Sequence, residues 1–186
     1  MSEWNQKRDT MQHYNLMARS YDELYADEQK AKIETALEKV RIDSDSLVLD
    51  SGCGTGLLFG YLAEKAKAIV GLDISKSVLE EAKKRTKKFG NVYLVLADAD
   101  YAPFRDCFFS HVFAVTLLQN MPDPQRTLAE LKRVARKNAF LVVTGLKKKF
   151  SLAFFEFLLR KFNLKVIEIR NESDALKCYV AVCVKG

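Results

Sequence analysis

The stretch that decides the fold is Leu49-Asp50-Ser51-Gly52-Cys53-Gly54-Thr55-Gly56, a glycine-rich turn that follows a short apolar strand predicted at 46–50. A helix is predicted directly after it, at 57–65. Glycines at such a strand-to-helix turn allow a tight turn and a close approach of a ligand to the backbone. The spacing differs from two nucleotide-binding motifs. A dinucleotide fingerprint would need glycine at position 57, which is leucine, and a P-loop would need Gly-Lys-Ser/Thr.

Outward from this turn, predicted strands and helices alternate along the chain. Further strands are predicted at 68–72, 92–97, 110–117, 139–144, 165–170 and 177–184, and further helices at 10–25, 28–41, 75–89, 124–137 and 151–162. This alternation, with near-continuous apolar strands, is typical of a parallel sheet with helices on both faces. We therefore expect an α/β fold with a doubly wound, mostly parallel seven-stranded sheet and an antiparallel terminal strand.

Length and composition indicate one globular domain over residues 1–186, since 48% of the chain is hydrophobic and 29% is charged. No stretch approaches the roughly 20 apolar residues of a membrane span, and the N-terminus lacks the apolar run of a signal peptide. We expect a soluble, cytoplasmic protein with no membrane partner. The four cysteines lack Cys-x-x-Cys spacing and the two histidines lie far from them, so we expect no metal site.

Charge is distributed unevenly along the chain, whose net charge is +6. Residues 1–45 carry 7 Lys and Arg against 10 Asp and Glu, whereas residues 46–186 carry 23 against 14. A basic body suits an anionic partner such as RNA, but solubility alone also explains such charges. The triple lysine at 147–149 follows the predicted fifth strand, on the side where ligands bind in this class of fold. It either faces an anionic substrate or is a solvated loop.

The glycine-rich turn resembles the first motif of class I S-adenosylmethionine (SAM)-dependent methyltransferases, and the remaining motifs follow in order. Asp73 ends the second predicted strand, and Asp98-Ala99 follow the third. The segment 112–119 is similar to the fourth-strand motif of the family. The pattern Tyr14-x3-Ala18-x2-Tyr21-Asp22 is similar to a segment that closes over the cofactor in many small members. The resemblance thus covers nearly the whole chain, with residues 1–45 as a helical segment that covers the cofactor site.

This resemblance implies roles for individual residues. Asp73 would bind the two ribose hydroxyls, Asp98 the adenine amino group and Asp50 the ammonium of the amino-acid tail. The catalytic residue stays unknown, with Gln119 and Asn120 as candidates because they stand where many small-molecule members carry two histidines. The full set of residues implied in SAM binding is Asp50, Gly52, Cys53, Gly54, Gly56, Asp73, Ile74, Asp98, Ala99, Thr116, Tyr14 and Tyr21.

Function is therefore expected to be methyl transfer from SAM to an acceptor that the sequence does not name. The alternative is a non-catalytic SAM-binding partner subunit. For an active enzyme, the acceptor is either RNA or a protein, reached with a partner protein, or a small molecule. The third predicted strand is the sheet edge in this fold, and its segment Val92–Leu96 is apolar on both faces. Such an edge invites a protein partner or a second copy of the chain.

Overall fold

The computed structural model describes residues 2–18, 20–171 and 176–186. One sheet runs through this part of the chain, in the strand order β3-β2-β1-β4-β5-β7-β6, and β7 is antiparallel to both of its neighbours. Its strands are β1 (Leu47–Ser51), β2 (Ala68–Asp73), β3 (Val92–Leu96), β4 (Phe109–Ala114), β5 (Ala135–Leu146), β6 (Leu164–Arg170) and β7 (Cys178–Lys185). The other pairs are parallel, which confirms the predicted fold class.

Helices cover the two faces of the sheet. They are α1 (Glu3–Met17), α2 (Tyr21–Leu37), α3 (Phe59–Leu62), α4 (Lys76–Thr86), α5 (Pro124–Val134) and α6 (Leu152–Lys161). Successive residues of a strand face opposite sides of a sheet. Leu141 and Val143 accordingly belong to one buried apolar cluster and Val142 to the other. Among the described residues, no helix combines the length and the hydropathy that a membrane crossing requires.

Several predicted boundaries were wrong, and three cases show why. The first helix ends at Met17 and not at 25, and α2 begins at Tyr21 and not at 28. Ser20 precedes α2, and acidic side chains in its first turn favour a helix start. The helix predicted at 57–65 is regular only over Phe59–Leu62. The fifth strand begins at Ala135 and not at 139, because Ala135 pairs with Phe109 across an irregularity in the β4–β5 register.

The carboxyl ends of the parallel strands meet at one edge of the sheet. β1 lies between β2 and β4, so the chain crosses to opposite sides of the sheet on either side of it. Ligands of open α/β sheets bind at such a switch point, outside the strand ends. The segments that follow β1, β2, β3 and β4 therefore have the position that a binding site requires.

Candidate functional site

A cleft of about 780 Å³ opens at these strand ends. A smaller cavity of about 390 Å³ adjoins it and shares Tyr21, Gly52, Gly54, Thr55 and Val115 with it. The site residues expected from the sequence fall into three groups. Those lining the cleft are Tyr14, Tyr21, Gly52, Gly54, Asp73, Ile74, Asp98, Ala99, Thr116 and Asn120. Those lining only the smaller cavity are Asp50 and Cys53, and those lining neither are Gly56 and Gln119.

The glycine-rich turn adopts a backbone that other residues rarely take. Gly52, Gly54 and Gly56 have φ angles of 73°, 55° and 80°. A Cβ at Gly54 would meet nothing within 4 Å, so the backbone there is open to a ligand. A Cβ at Gly56 would instead lie 2.4 Å from Phe59 Cε2. Gly56 is therefore needed for packing within the turn.

Asp50 is a buried carboxyl at the end of β1. Its side chain is 3% exposed, lines the smaller cavity and has no hydrogen-bond partner in the described part of the chain. Burial, assisted by the negative charge of Asp73, raises the pKa of Asp50 to about 8. A buried carboxyl without a partner favours a cation placed beside it.

Asp73 ends β2 and holds the glycine-rich turn. Its two carboxylate oxygens accept hydrogen bonds from the backbone N–H of Gly54, at 3.0 Å, and of Ser75, at 2.9 Å. Burial raises the pKa of Asp73, although the backbone N–H groups of Ser75, Gly54 and Ile74 oppose the shift. Each oxygen keeps room for a further donor, because a carboxylate oxygen can accept two hydrogen bonds.

Asp98, after β3, is paired with a cation that the sequence did not reveal. Lys7 Nζ, from α1, lies 2.9 and 2.7 Å from the two oxygens of Asp98 and 2.5 Å from Asp100 Oδ2. Burial opposes the charge of Lys7, but hydrogen bonds to Asp100 and Asp98 raise its pKa overall. One lysine thus compensates two carboxylates at the edge of the cleft. Its sequence signal is weak, since surface helices contain many lysines.

Further contacts join the two N-terminal helices to the cleft. Ser75 Oγ donates to Asn15 Oδ1 of α1 at 2.6 Å. Thr55 Oγ1 donates to Asp22 Oδ1 of α2 at 2.6 Å, and Asp22 also forms an ion pair with Arg85 of α4. Helices α1 and α2 therefore contact the segments that follow β1, β2 and β3.

The two catalytic candidates differ in their surroundings. Asn120 lines the cleft, and its Nδ2 donates to Tyr14 Oη at 2.9 Å and to the Thr116 carbonyl at 2.8 Å. Gln119 lies outside the cleft lining, and its Oε1 is buried without a hydrogen-bond partner in the described residues. Burial raises the pKa of Tyr14, so its hydroxyl stays protonated at neutral pH. The structure thus places Asn120, and not Gln119, at the cleft.

The triple lysine at 147–149 also lies outside the cleft lining. Lys147 Nζ donates to the Asn171 carbonyl at 2.7 Å, whereas Lys148 and Lys149 are exposed. Lys147 therefore joins two loops beyond the strand ends. Lys148 and Lys149 are the more accessible of the three to an anion.

Comparison with known proteins identifies the family to which this chain belongs. A family model described as a methyltransferase domain matches residues 49–143, from the end of β1 into β5. The chain belongs to this methyltransferase family. Its predicted resemblance to class I SAM-dependent methyltransferases is thereby confirmed.

Relatives of this methyltransferase domain include enzymes with different acceptors. It is 32% identical over 144 residues to a malonyl-[acyl-carrier protein] O-methyltransferase of Marinomonas sp., which covers 76% of this chain and 53% of the relative. The chain spans about half the length of the curated relatives that it matches.

Solved structures share the fold of the domain. The magnesium protoporphyrin IX methyltransferase of Synechocystis, solved with bound SAM, has a TM-score of 0.82 at 15% identity, covering 97% of each chain. A methyltransferase from a complex with the Haloferax volcanii Trm112 activator has a TM-score of 0.77 at 18% identity, covering 92% of this chain and 96% of that one. At these identities the likeness establishes the fold alone.

Proposed function

We propose that this methyltransferase domain binds SAM in the cleft and transfers its methyl group to a small-molecule acceptor that is itself acidic. The observation that carries the proposal is the position of three carboxylates, Asp50, Asp73 and Asp98, at or just after the ends of three neighbouring strands around one glycine-rich turn. SAM has three features that would each use one of them, namely the tail ammonium, the ribose diol and the adenine amino group.

The residues present fit this cofactor. Asp50 is a buried carboxyl without a partner in the described residues, which suits the tail ammonium. Asp73 retains acceptor capacity on both oxygens for the ribose hydroxyls. Among the described residues Asp98 Oδ2 accepts only from Lys7, which leaves capacity for the adenine amino group. The open space at Gly54 allows the ligand to approach the backbone.

When bound, SAM supplies an already activated methyl group, so the chain contributes mainly positioning and exclusion of water. Among the described residues, neither His nor Glu lines the two cavities. Asn120 does not titrate, and Tyr14 keeps its proton at neutral pH. Because Asp50, Asp73 and Asp98 are all assigned to the cofactor, no lining residue is left as a general base, and the acceptor atom should be ionised before it binds. A carboxylate, enolate or thiolate meets that requirement.

Two further observations support a small acid as the acceptor. The relative from Marinomonas is named for a malonyl group carried on an acyl-carrier protein, and the neighbour from Synechocystis for a protoporphyrin; the shared feature is an acidic group on the acceptor. Exposed Lys148 and Lys149 add positive charge beyond the carboxyl end of β5. All four cysteines are free thiols, which agrees with the cytoplasmic location that forms part of this proposal.

Labelled SAM offers the direct test. The protein is incubated with three fractions of a cell extract: small molecules, RNA and protein. We expect label in acidic small molecules, and loss of labelling and of SAM binding in Asp73→Ala but not in Asp45→Ala, which removes an exposed carboxylate far from the cleft. Labelled RNA or protein would contradict the small-molecule acceptor. SAM binding without transfer to any fraction would favour the non-catalytic partner subunit.

We also propose that a second protein chain pairs with the edge strand β3. Tyr93 and Leu96 are 56% and 58% exposed there. The Ala97 N–H donates inward to the Asp73 carbonyl, so by alternation the N–H groups of Leu94 and Leu96 face the open edge. One solved neighbour is a methyltransferase in a complex with the Trm112 activator, which supports a partner for this type of domain.

A further inference from the structure

Lys32, in α2, is a lysine buried beside the cleft. Its side chain is 1% exposed, and its Nζ lies 2.8 Å from Glu28 Oε1, one helical turn earlier. Lys177 Nζ lies 3.4 Å from the other oxygen of Glu28. Burial alone would raise the pKa of Glu28, but the hydrogen bonds and charges of Lys32 and Lys177 lower it. A buried ion pair stabilises a fold little, so its position needs another explanation.

A second contact of Lys32 reaches the cleft wall. Lys32 Nζ donates to Thr116 Oγ1 at 3.1 Å, and Thr116 lines the cleft. An ammonium group has protons to donate and no lone pair to accept with. Thr116 Oγ1 accepts this bond, and its own proton goes to Gln29 Oε1, at 2.9 Å. The Thr116 backbone N–H donates to Thr144 Oγ1 at 2.7 Å, which holds this residue in place.

The direction of the next hydrogen bond follows from this one. Since the oxygen of the Gln29 amide is turned to Thr116, its nitrogen is turned to Tyr21 and donates to Tyr21 Oη at 2.9 Å. The Tyr21 hydroxyl accepts this bond, and no described residue accepts its proton. Burial raises the pKa of Tyr21, so the proton stays on the hydroxyl at neutral pH. The series of hydrogen bonds that begins at Lys32 thus ends in a donor, the Tyr21 hydroxyl.

Tyr21 lines both the cleft and the smaller cavity, which also contains Asp50. An amino-acid group placed there offers a cation and an anion. The carboxyl of Asp50 suits the cation, and a hydroxyl that must donate suits the anion.

We propose that Lys32 is a positioning residue that fixes Tyr21 as a donor, and that the Tyr21 hydroxyl binds the carboxylate of the amino-acid tail of SAM. This inference rests on the proposed SAM site. Lys32 acts only through Thr116 and Gln29. Its role is to set which group donates and which accepts in each of these hydrogen bonds. A neutral side chain at position 32 would leave the Gln29 amide free to turn over.

The test compares two ligands that differ in the tail. S-adenosylhomocysteine carries the amino-acid group, whereas 5′-methylthioadenosine lacks it. By calorimetry, Tyr21→Phe should weaken S-adenosylhomocysteine binding by roughly 10–100-fold, as expected for a lost hydrogen bond to a charged group. Binding of 5′-methylthioadenosine should change less than about twofold, since the adenosine contacts remain. Lys32→Met should reproduce this selective loss, and the double variant should add little to it, because both act through one chain.

Controls separate this role from a structural one. Lys30→Met, also in α2 but exposed, should leave both affinities unchanged. Lys32→Arg should keep the S-adenosylhomocysteine affinity of the original protein, because arginine is also a donor. Should Lys32→Met fail to fold, Thr116→Val breaks the same chain with little change of shape. Equal weakening of both ligands by Lys32→Met or Thr116→Val would overturn the positioning role. Unchanged S-adenosylhomocysteine binding in Tyr21→Phe would overturn the carboxylate assignment. Failure of the unaltered protein to bind S-adenosylhomocysteine would instead refute the proposed function.

Discussion

Asp50 couples ligand binding to pH through one buried proton. Its pKa near 8 means that the side chain is mostly protonated at pH 6 to 7 in the free protein. If the ionised form holds the tail ammonium, S-adenosylhomocysteine affinity should rise by up to about tenfold per pH unit from pH 6 to 7.5. Calorimetry across this range checks the rise. In Asp50→Asn the affinity should be weaker and nearly flat with pH, and an equally steep rise in that variant would exclude Asp50 as the cause.

The same proton affects folding in the opposite sense. The unfolded chain ionises Asp50 near its ordinary pKa of 3.8, whereas the folded protein holds the proton up to about pH 8. Stability should therefore fall as pH rises through this window, by up to about 1.4 kcal/mol per unit from this group. Denaturant unfolding of Asp50→Asn should show a shallower decline and greater stability at pH 8. Parallel pH profiles for the two proteins would contradict this linkage.

Lys7 forms the buried ion pairs that attach helix α1 to the segment after β3. Lys7 compensates Asp98 and Asp100, and removing one partner of a buried ion pair typically costs about 3–5 kcal/mol. In Lys7→Met we expect α1 to detach, because solvating the two carboxylates costs less than burying them unpaired. Hydrogen exchange should show α1 amides losing protection by tenfold or more while the central strands keep theirs. Arg8→Met, at the next and exposed position, should leave the hydrogen exchange of the α1 amides unchanged. Unchanged exchange of these amides in Lys7→Met would show that Lys7 does not attach the helix.

The edge strand β3 allows a backbone test of the proposed partner. The N–H of Leu96 faces outward, so Leu96→Pro removes a donor from the open edge without breaking the β2–β3 ladder. We expect it to abolish co-purification of a partner, or self-association measured by light scattering. Leu96→Ala keeps the N–H and serves as the matched control. The proposal fails if the protein without any substitution is a monomer and co-purifies with no partner.

The two faces of the sheet should unfold together, because every central strand contributes to both apolar clusters. Added methyl groups test each face. A Cβ at Gly71 would lie 2.6 Å from Phe59 Cζ on one face, and one at Gly145 would lie 2.8 Å from Phe155 on the other. Gly71→Ala and Gly145→Ala should each destabilise by about 1–3 kcal/mol and lower one common Tm in calorimetry. Gly60→Ala, with open space around it, is the control, and two separate transitions would show independent halves.

Prediction from sequence succeeded where the pattern is local. Apolar runs gave the strands, and the glycine-rich turn with Asp73 and Asp98 gave the position of the cleft. It failed where a side chain acts at long range. Lys7 meets Asp98 across 91 positions and Lys32 meets Thr116 across 84, and neither pairing leaves a periodic signal. The roles assigned to the cofactor residues stay predictions.

The position of β7 between β5 and β6 has a consequence during synthesis on the ribosome. β6 is made before β7, yet its hydrogen bonds within the sheet go to β7, whose other edge pairs with β5. The β3-β2-β1-β4-β5 portion can assemble as its strands emerge, whereas β6 and the apolar side of α6 must wait for β7 to leave the exit tunnel. Until then the nascent chain presents the edge of β5 and an unpaired β6, which makes this interval the one in which a chaperone is most needed.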